Sequence, residues 1–122
     1  SLPVSFIEDG DPYVQDLQQT ITAVEKLTGQ QGTLCYQSRS GPVAWLGPST
    51  PEIIQKIASQ GGKNILVVPI SFVSDHVETL YEIDIEYREL AVNLGLRFET
   101  TRALNTGPLF IAGLESLVRQ YL

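Results

Sequence analysis

Five acidic residues recur at helical spacing between positions 75 and 89, and they are the side chains best suited to bind a cation. They are Asp75, Glu78, Glu82, Glu86 and Glu89. On an ideal α-helix of about 100° per residue they share an arc of about 80°. Like charges at this spacing repel one another, and hard oxygen ligands suit divalent cations. The arc therefore predicts either a solvated helix face or a ladder of metal ligands.

The only histidine, His76, lies at the start of this predicted helix and two residues before Glu78. The helical wheel places it on the apolar side, which favours a capping or packing role. Its neighbour Glu78 favours a second interpretation, in which the pair supplies a proton acceptor and a metal contact. Both interpretations stay open at this point.

The only tryptophan, Trp45, lies in a loop rich in Gly and Pro at residues 41–48. It is either a plug in the core or a flat aromatic wall for a planar ligand. The only cysteine, Cys35, is most simply a buried small side chain. A single cysteine excludes an internal disulfide and a cysteine-rich zinc or iron–sulfur site within the chain.

Helices and strands alternate along the chain, which predicts an α/β fold with a doubly wound parallel sheet and helices on both faces. We predict strands at 33–38, 64–70 and 96–101. We predict a loop at 1–11, helices at about 12–28, 50–60 and 76–94, a turn at 105–108 and a last helix that runs to about 121. The continuous apolar run at 65–68 indicates a strand covered on both faces. Loops 38–49, 71–75 and 102–108 follow the strand ends, where such sheets bind ligands.

The composition narrows the class of protein further. The 122 residues fit one domain, 1–122, and the net charge of -6 leaves few cations for a nucleic-acid interface. We find no apolar run long enough to span a membrane and no signal peptide. The opening residues Ser1 to Pro3, without a Met, read as a cut or processed start.

Several ordered motifs resemble the C-terminal half of the ferrochelatase family. They are Gly-Asp-Pro-Tyr at 10–13, the loop segments 36–42 and 45–48, the segment 71–87, and an Asn-x-x-Pro-x-Phe turn at 105–110. That family inserts ferrous iron into protoporphyrin IX, the last step of haem synthesis. Its fold has two similar doubly wound domains with the porphyrin between them.

The resemblance implies roles for individual residues. Glu78 matches a glutamate that faces the porphyrin centre, and His76 matches a histidine that supports it. Glu82 and Glu86 would line a metal path on a partly π-helical segment, and Asp75 is a further candidate ligand because it shares their arc on the helical wheel. The resemblance and the loop position imply porphyrin contacts for four residues: Pro3, Ser40, Pro42 and Trp45.

The resemblance also implies partners and missing parts. The family's principal histidine and the strand leading to it would stand just before Ser1, and an N-terminal half would complete the cleft. We therefore expect the chain alone to be inactive and prone to self-association. Ferrous iron and protoporphyrin IX are expected as substrates, with no permanently bound cofactor and no iron–sulfur cluster in this chain. A cytoplasmic location is expected in a bacterium, an organellar one in a eukaryote, with peripheral membrane association of the parent as an alternative.

Two rival functions remain from the sequence. One is a half-length chelatase that acts on cobalt or sirohydrochlorin, although such enzymes would be expected to carry more than one histidine. The other is a non-catalytic module that binds a tetrapyrrole or another protein through the loop around Trp45.

Overall fold

The structure is a computed structural model that describes all residues from 1 to 122. Its elements in chain order are α1 (Val4–Glu8), α2 (Tyr13–Thr28), α3 (Thr50–Ser59), β1 (Asn64–Val67), α4 (Val77–Thr79), a π-helical segment (Leu80–Tyr87), α5 (Arg88–Asn93), β2 (Arg97–Thr100) and α6 (Pro108–Arg119). The last three helical pieces before β2 are contiguous, so α4, the π segment and α5 form one helix. No helix is both long and apolar enough to cross a membrane.

The two strands confirm the predicted parallel α/β arrangement. β1 pairs with β2 in parallel, in a register that runs from Asn64 opposite Arg97 to Val67 opposite Thr100. The intervening chain forms the long helix, so the unit is a strand–helix–strand crossover. The predicted strand at 64–70 stops at Val67, two residues before Pro69, which has no N–H to continue a ladder.

The prediction of a third strand at 33–38 is wrong. Only Tyr36 takes part in a bridge there, and its partner is Ser49 at the end of the following loop. The backbone N–H of Tyr36 donates to the Pro48 carbonyl at 2.9 Å, and the Thr50 N–H donates to the Tyr36 carbonyl at 3.0 Å. This segment therefore closes its own loop instead of joining the sheet.

A single apolar cluster connects the sheet to the helices. Its six buried members are Ile54, Ile83, Tyr87, Ala91, Leu96 and Phe98. Ile65 and Val67 pack against it from β1, whereas Leu66 on the opposite face is 63% exposed. Within this chain only one face of β1 is thus well covered, which differs from the expectation of two.

Arg88 joins the long helix to the second strand. Its guanidinium lies 5.0 Å from the centre of the Phe98 ring, and its Nη1 donates to the Phe98 carbonyl at 2.7 Å. A cation above an aromatic face is attracted by the ring quadrupole. The contact ties the long helix to β2 through a single side chain.

Two helix starts illustrate where local signals succeeded and failed. Ser49 and Glu52 have the residue types and the spacing of a capping box, and they form one at the start of α3: both the N–H and the hydroxyl of Ser49 donate to Glu52. Those bonds and the nearby Arg39 hold the pKa of Glu52 below its ordinary value. By contrast, residues 1–11 are not all loop, because α1 begins directly after Pro3, whose carbonyl accepts from the Phe6 N–H.

Candidate functional site

The loops after β1 and β2 are joined by a reciprocal pair of hydrogen bonds between Asp75 and Asn105. The Asp75 N–H donates to Asn105 Oδ1 at 2.9 Å, and Asn105 Nδ2 donates to Asp75 Oδ2 at 3.0 Å. Asn105 has a φ of 46°, a left-handed conformation that asparagine tolerates better than most residues. Asp75 thus lies in a loop before the helix, so the wheel position assigned to it was wrong.

His76 is the N-cap of the helix that carries Glu78. Its backbone is extended, and its Nδ1 accepts a hydrogen bond from the Glu78 N–H at 3.3 Å. Its ring stacks on Phe72, with the centroids 5.2 Å apart and the planes 13° from parallel. The capping interpretation is therefore confirmed, and the cap fixes the backbone from which the Glu78 side chain projects.

The π-helical segment changes the spacing on which the carboxylate ladder depends. A π-helix bonds i to i+5, so the eight residues Leu80–Tyr87 follow a wider turn than an α-helix. In this wider turn the side chains of Glu82 and Tyr87, five residues apart, come into contact, with the Tyr87 hydroxyl 3.4 Å from Glu82 Oε2. The π-helical character implied by the resemblance is confirmed, and a uniform α-helical wheel does not hold across these residues.

The carboxylates of Glu78, Glu82 and Glu86 differ in exposure and do not form a closed site. Glu78 and Glu86 are exposed and Glu82 is half-buried. No three His, Cys, Asp or Glu side chains converge closely enough to hold a metal ion.

Glu82 has the most hydrogen bonds of the predicted ladder residues. Its Oε2 accepts from Gln37 Nε2 at 3.0 Å, from Ser38 Oγ at 2.8 Å and from the Tyr87 hydroxyl at 3.4 Å. Gln37, Ser38 and Tyr87 were missed by sequence reasoning. Gln37 and Ser38 precede Glu82 by more than forty residues, so no spacing in the sequence links them to it.

The raised pKa of Tyr87 predicts that the folded chain loses stability at alkaline pH. Burial raises its pKa above the ordinary value of 10.0, and the charge and hydrogen bond of Glu82 act in the same direction. The folded state therefore favours the neutral phenol. This stabilisation is complete below pH 10.0 and is lost as the pH rises toward the folded-state pKa.

Urea unfolding at a pH of about 8 and about 11 measures the effect. We expect the Tyr87→Phe variant to lose less stability between the two pH values than the unchanged chain. Tyr121→Phe is the matched control, since Tyr121 is 89% exposed. Equal losses in all three proteins would contradict the assignment to Tyr87.

Trp45 and Pro3 are brought together by a short antiparallel bridge. The Val4 N–H donates to the Ala44 carbonyl at 2.8 Å, and the Leu46 N–H donates to the Leu2 carbonyl at 3.0 Å. The indole Nε1 donates to the Ser40 carbonyl at 2.9 Å, which closes the loop on itself. Three of the four residues predicted to contact a planar ligand thus form one group. The fourth, Pro42, lies exposed in the same loop.

Trp45 is half-buried, which argues against the alternative of a core plug. Because it is the only tryptophan, all indole emission reports this loop. We expect acrylamide to quench the emission readily, and protoporphyrin IX to quench it in a saturable manner. Emission typical of a dry, fully buried indole would be the contrary result.

A cavity of about 370 Å³ lies between the loops that follow β1 and β2. Phe72, Asp84 and Arg102 are among its lining residues. The lining includes Asp75 but none of Trp45, Glu78, Glu82 and Glu86. The cavity therefore contains one of the predicted site residues and is separate from those four.

A small parallel α/β unit with an acidic π-helical segment beside an aromatic loop defines a half-domain of the chelatase type. The family model for Ferrochelatase matches residues 1–122. The chain therefore belongs to the ferrochelatase family.

Bacterial relatives support the same family. The ferrochelatase of Desulfotalea psychrophila is 60% identical over 118 residues, covering 97% of this chain and 37% of the relative. That of Geotalea uraniireducens is 54% identical over 122 residues, covering 98% and 38%. That of Synechococcus elongatus is 50% identical over 125 residues, covering 99% and 32%. The chain thus spans about a third of the length of these relatives.

Proposed function

We propose that this chain is the C-terminal part of a ferrochelatase that inserts ferrous iron into protoporphyrin IX. The observation that carries the proposal is the pair of hydrogen bonds that Gln37 and Ser38 donate to Glu82. Both donors lie directly before the loop that carries Trp45. The acidic helix and the aromatic loop are therefore linked by direct contacts.

The carboxylate of Glu78 is the proposed proton acceptor. Insertion of a divalent cation requires the porphyrin to release two pyrrole protons while the metal bonds to the ring nitrogens. An exposed carboxylate on a fixed backbone can accept one proton from one face of the macrocycle, pass it to water and then accept the second. His76 holds that backbone through the hydrogen bond from the Glu78 N–H to its Nδ1.

Glu82 and Glu86 are the proposed path for the metal substrate, and Asp75 is a more remote candidate. Ferrous iron binds nitrogen and oxygen ligands less tightly than copper, so affinity alone cannot select it. Carboxylates that do not converge into a closed site favour transfer of the ion over its retention. The Asp75 carboxylate already accepts a hydrogen bond from Asn105, so this bond would have to break before Asp75 could bind the metal.

Pro3, Ser40, Pro42 and Trp45 are the proposed border of the porphyrin. The Ser40 carbonyl fixes the indole by accepting its N–H, and the bridge to Pro3 fixes the backbone at Trp45. A half-buried indole with one free face can stack on a planar macrocycle. The partner that would form the opposite wall is the N-terminal part of the same enzyme.

The proposal is tested by exchanging this chain for the matching 118 residues of the Desulfotalea psychrophila relative. We expect the chimera to convert protoporphyrin IX into its zinc and iron complexes at a rate close to that of the intact relative. Formation of zinc protoporphyrin is followed by fluorescence and haem by absorbance. A chimera that folds and binds porphyrin but inserts neither metal would overturn the proposal.

We extend the proposal to the cell compartment and to further partners of the chain. The relatives named above are bacterial, which supports a cytoplasmic location. The exposed apolar side chains of Leu66, Leu109 and Leu117 support self-association of the separate chain or contact with a membrane surface. Sedimentation of the chain with and without lipid vesicles distinguishes the two.

A further inference from the structure

We propose that Gln37, Ser38 and Tyr87 are positioning residues that fix the carboxylate of Glu82, so that one of its oxygens is kept free for a metal ion. The inference rests on the proposed function, in which Glu82 is a ligand on the metal path. It extends that function to three side chains outside the carboxylate ladder.

All three donors contact the same oxygen of Glu82. The distances to Oε2 are 3.0 Å from Gln37, 2.8 Å from Ser38 and 3.4 Å from Tyr87. No hydrogen bond in the structure uses the other oxygen, Oε1. One oxygen is thus held by the protein while the lone pairs of the other stay available. Side chains that form hydrogen bonds with a metal ligand orient that ligand and raise its affinity for the metal.

The donors come from two parts of the chain that only the fold brings together. Tyr87 reaches Glu82 because the π-helical turn aligns residues five apart. Gln37 and Ser38 precede Glu82 by 45 and 44 residues. They also open the loop that carries Trp45. The orientation of Glu82 is therefore set by the same loop that presents the aromatic surface.

A substitution at Ser38 can remove the hydrogen bond to Glu82 without destabilising the fold. Its φ is 59°, in the left-handed region that a serine adopts only at a cost and that glycine adopts freely. Ser38→Gly removes the hydroxyl donor but relieves the backbone. A residue with a purely structural role would show a change in stability, whereas a positioning residue would show a change in metal binding.

The experiment titrates the 122-residue chain with Co²⁺, followed by visible absorption and calorimetry. We expect Ser38→Gly and Gln37→Leu each to weaken Co²⁺ binding by about tenfold or more. We expect the melting temperature of Ser38→Gly to be unchanged or higher. Ser38→Asn, which tolerates the left-handed conformation and supplies an amide donor, is expected to restore most of the affinity.

A double-mutant cycle with Glu82 is the decisive control. Once Glu82→Gln has removed the ligand, Ser38→Gly should cause no further loss of Co²⁺ affinity. Gln55→Leu, a matched change at an exposed position on α3, should leave the affinity unchanged.

Three results would overturn the inference. They are unchanged Co²⁺ affinity in Ser38→Gly, an equal loss in the Glu82→Gln background, and Co²⁺ binding that Glu82→Gln does not weaken. The measurement involves neither porphyrin nor turnover. Its failure is therefore distinguishable from failure of the chimera to insert metal.

Discussion

Replacing Glu78 with glutamine in the chimeric enzyme is expected to lower the rate of metal insertion by about 10²–10⁴-fold, the range typical of a lost general base. Glutamine keeps the size of the side chain and the backbone N–H that His76 caps. It removes only the charge and the ability to accept a proton. We therefore expect kcat to fall much more than porphyrin affinity, and steady-state formation of zinc protoporphyrin measures both.

Glu89→Gln is the matched control for this loss. Glu89 is an exposed glutamate on α5, beyond the π-helical segment, and it shared the predicted arc with Glu78 on the ideal wheel. We expect its substitution to change the rate by less than about twofold, the small effect typical of an exposed surface position. Equal effects of the two substitutions would favour the other interpretation of the acidic residues, which is a solvated helix surface.

The fold was predictable from the sequence where the local pattern and the tertiary contacts agree. The apolar run beginning at Ile65 and the alternation around Phe98 both specify strands, and both form as a parallel pair. The segment around Tyr36 has similar local chemistry, but a strand needs a neighbour. Tyr36 instead pairs with the end of its own loop. Pairing across the sheet cannot be read from one segment alone.

The site was predictable in its residue types more than in its geometry. The i,i+4 pattern identified Glu78, Glu82 and Glu86, but the wheel assumed a uniform α-helix. The π turn aligns Glu82 with Tyr87 instead. His76 and Asp75 were placed on that wheel although the helix begins at Val77. His76 caps the helix, and Asp75 joins two loops through its hydrogen bonds with Asn105. Both roles depend on the backbone conformation.

The three donors to Glu82 could not be found by spacing. Gln37 and Ser38 lie more than forty residues from their acceptor, and neither belongs to a pattern of charge or hydrophobicity. The left-handed conformation of Ser38 carries no sequence signal, since the residue is neither Gly nor Asn. Such residues become visible only after the fold has joined their segments.

The 122-residue chain by itself is expected to insert metal at least about 10³-fold more slowly than the chimera, since positioning of the reactants supplies much of the barrier reduction in such reactions. Glu78 is exposed, and Trp45 is half-buried at the edge of a single loop. The chain thus offers the porphyrin one surface and no opposite wall. A macrocycle held on one face can stack on the indole, but it cannot be pressed into a bent shape that exposes its nitrogens to a base.

Formation of zinc protoporphyrin by the chain, by its Glu78→Ala variant and by the chimera measures this difference, while the Soret band reports binding separately. We expect the chain and its variant to bind porphyrin weakly and to give equal rates, close to that of the reaction without protein. The chimera supplies the matched positive control, because it contains the same 122 residues. Turnover by the chain that disappears in Glu78→Ala would contradict the prediction. A single half-domain would then suffice for insertion, and a half-length chelatase would become the better description of its activity.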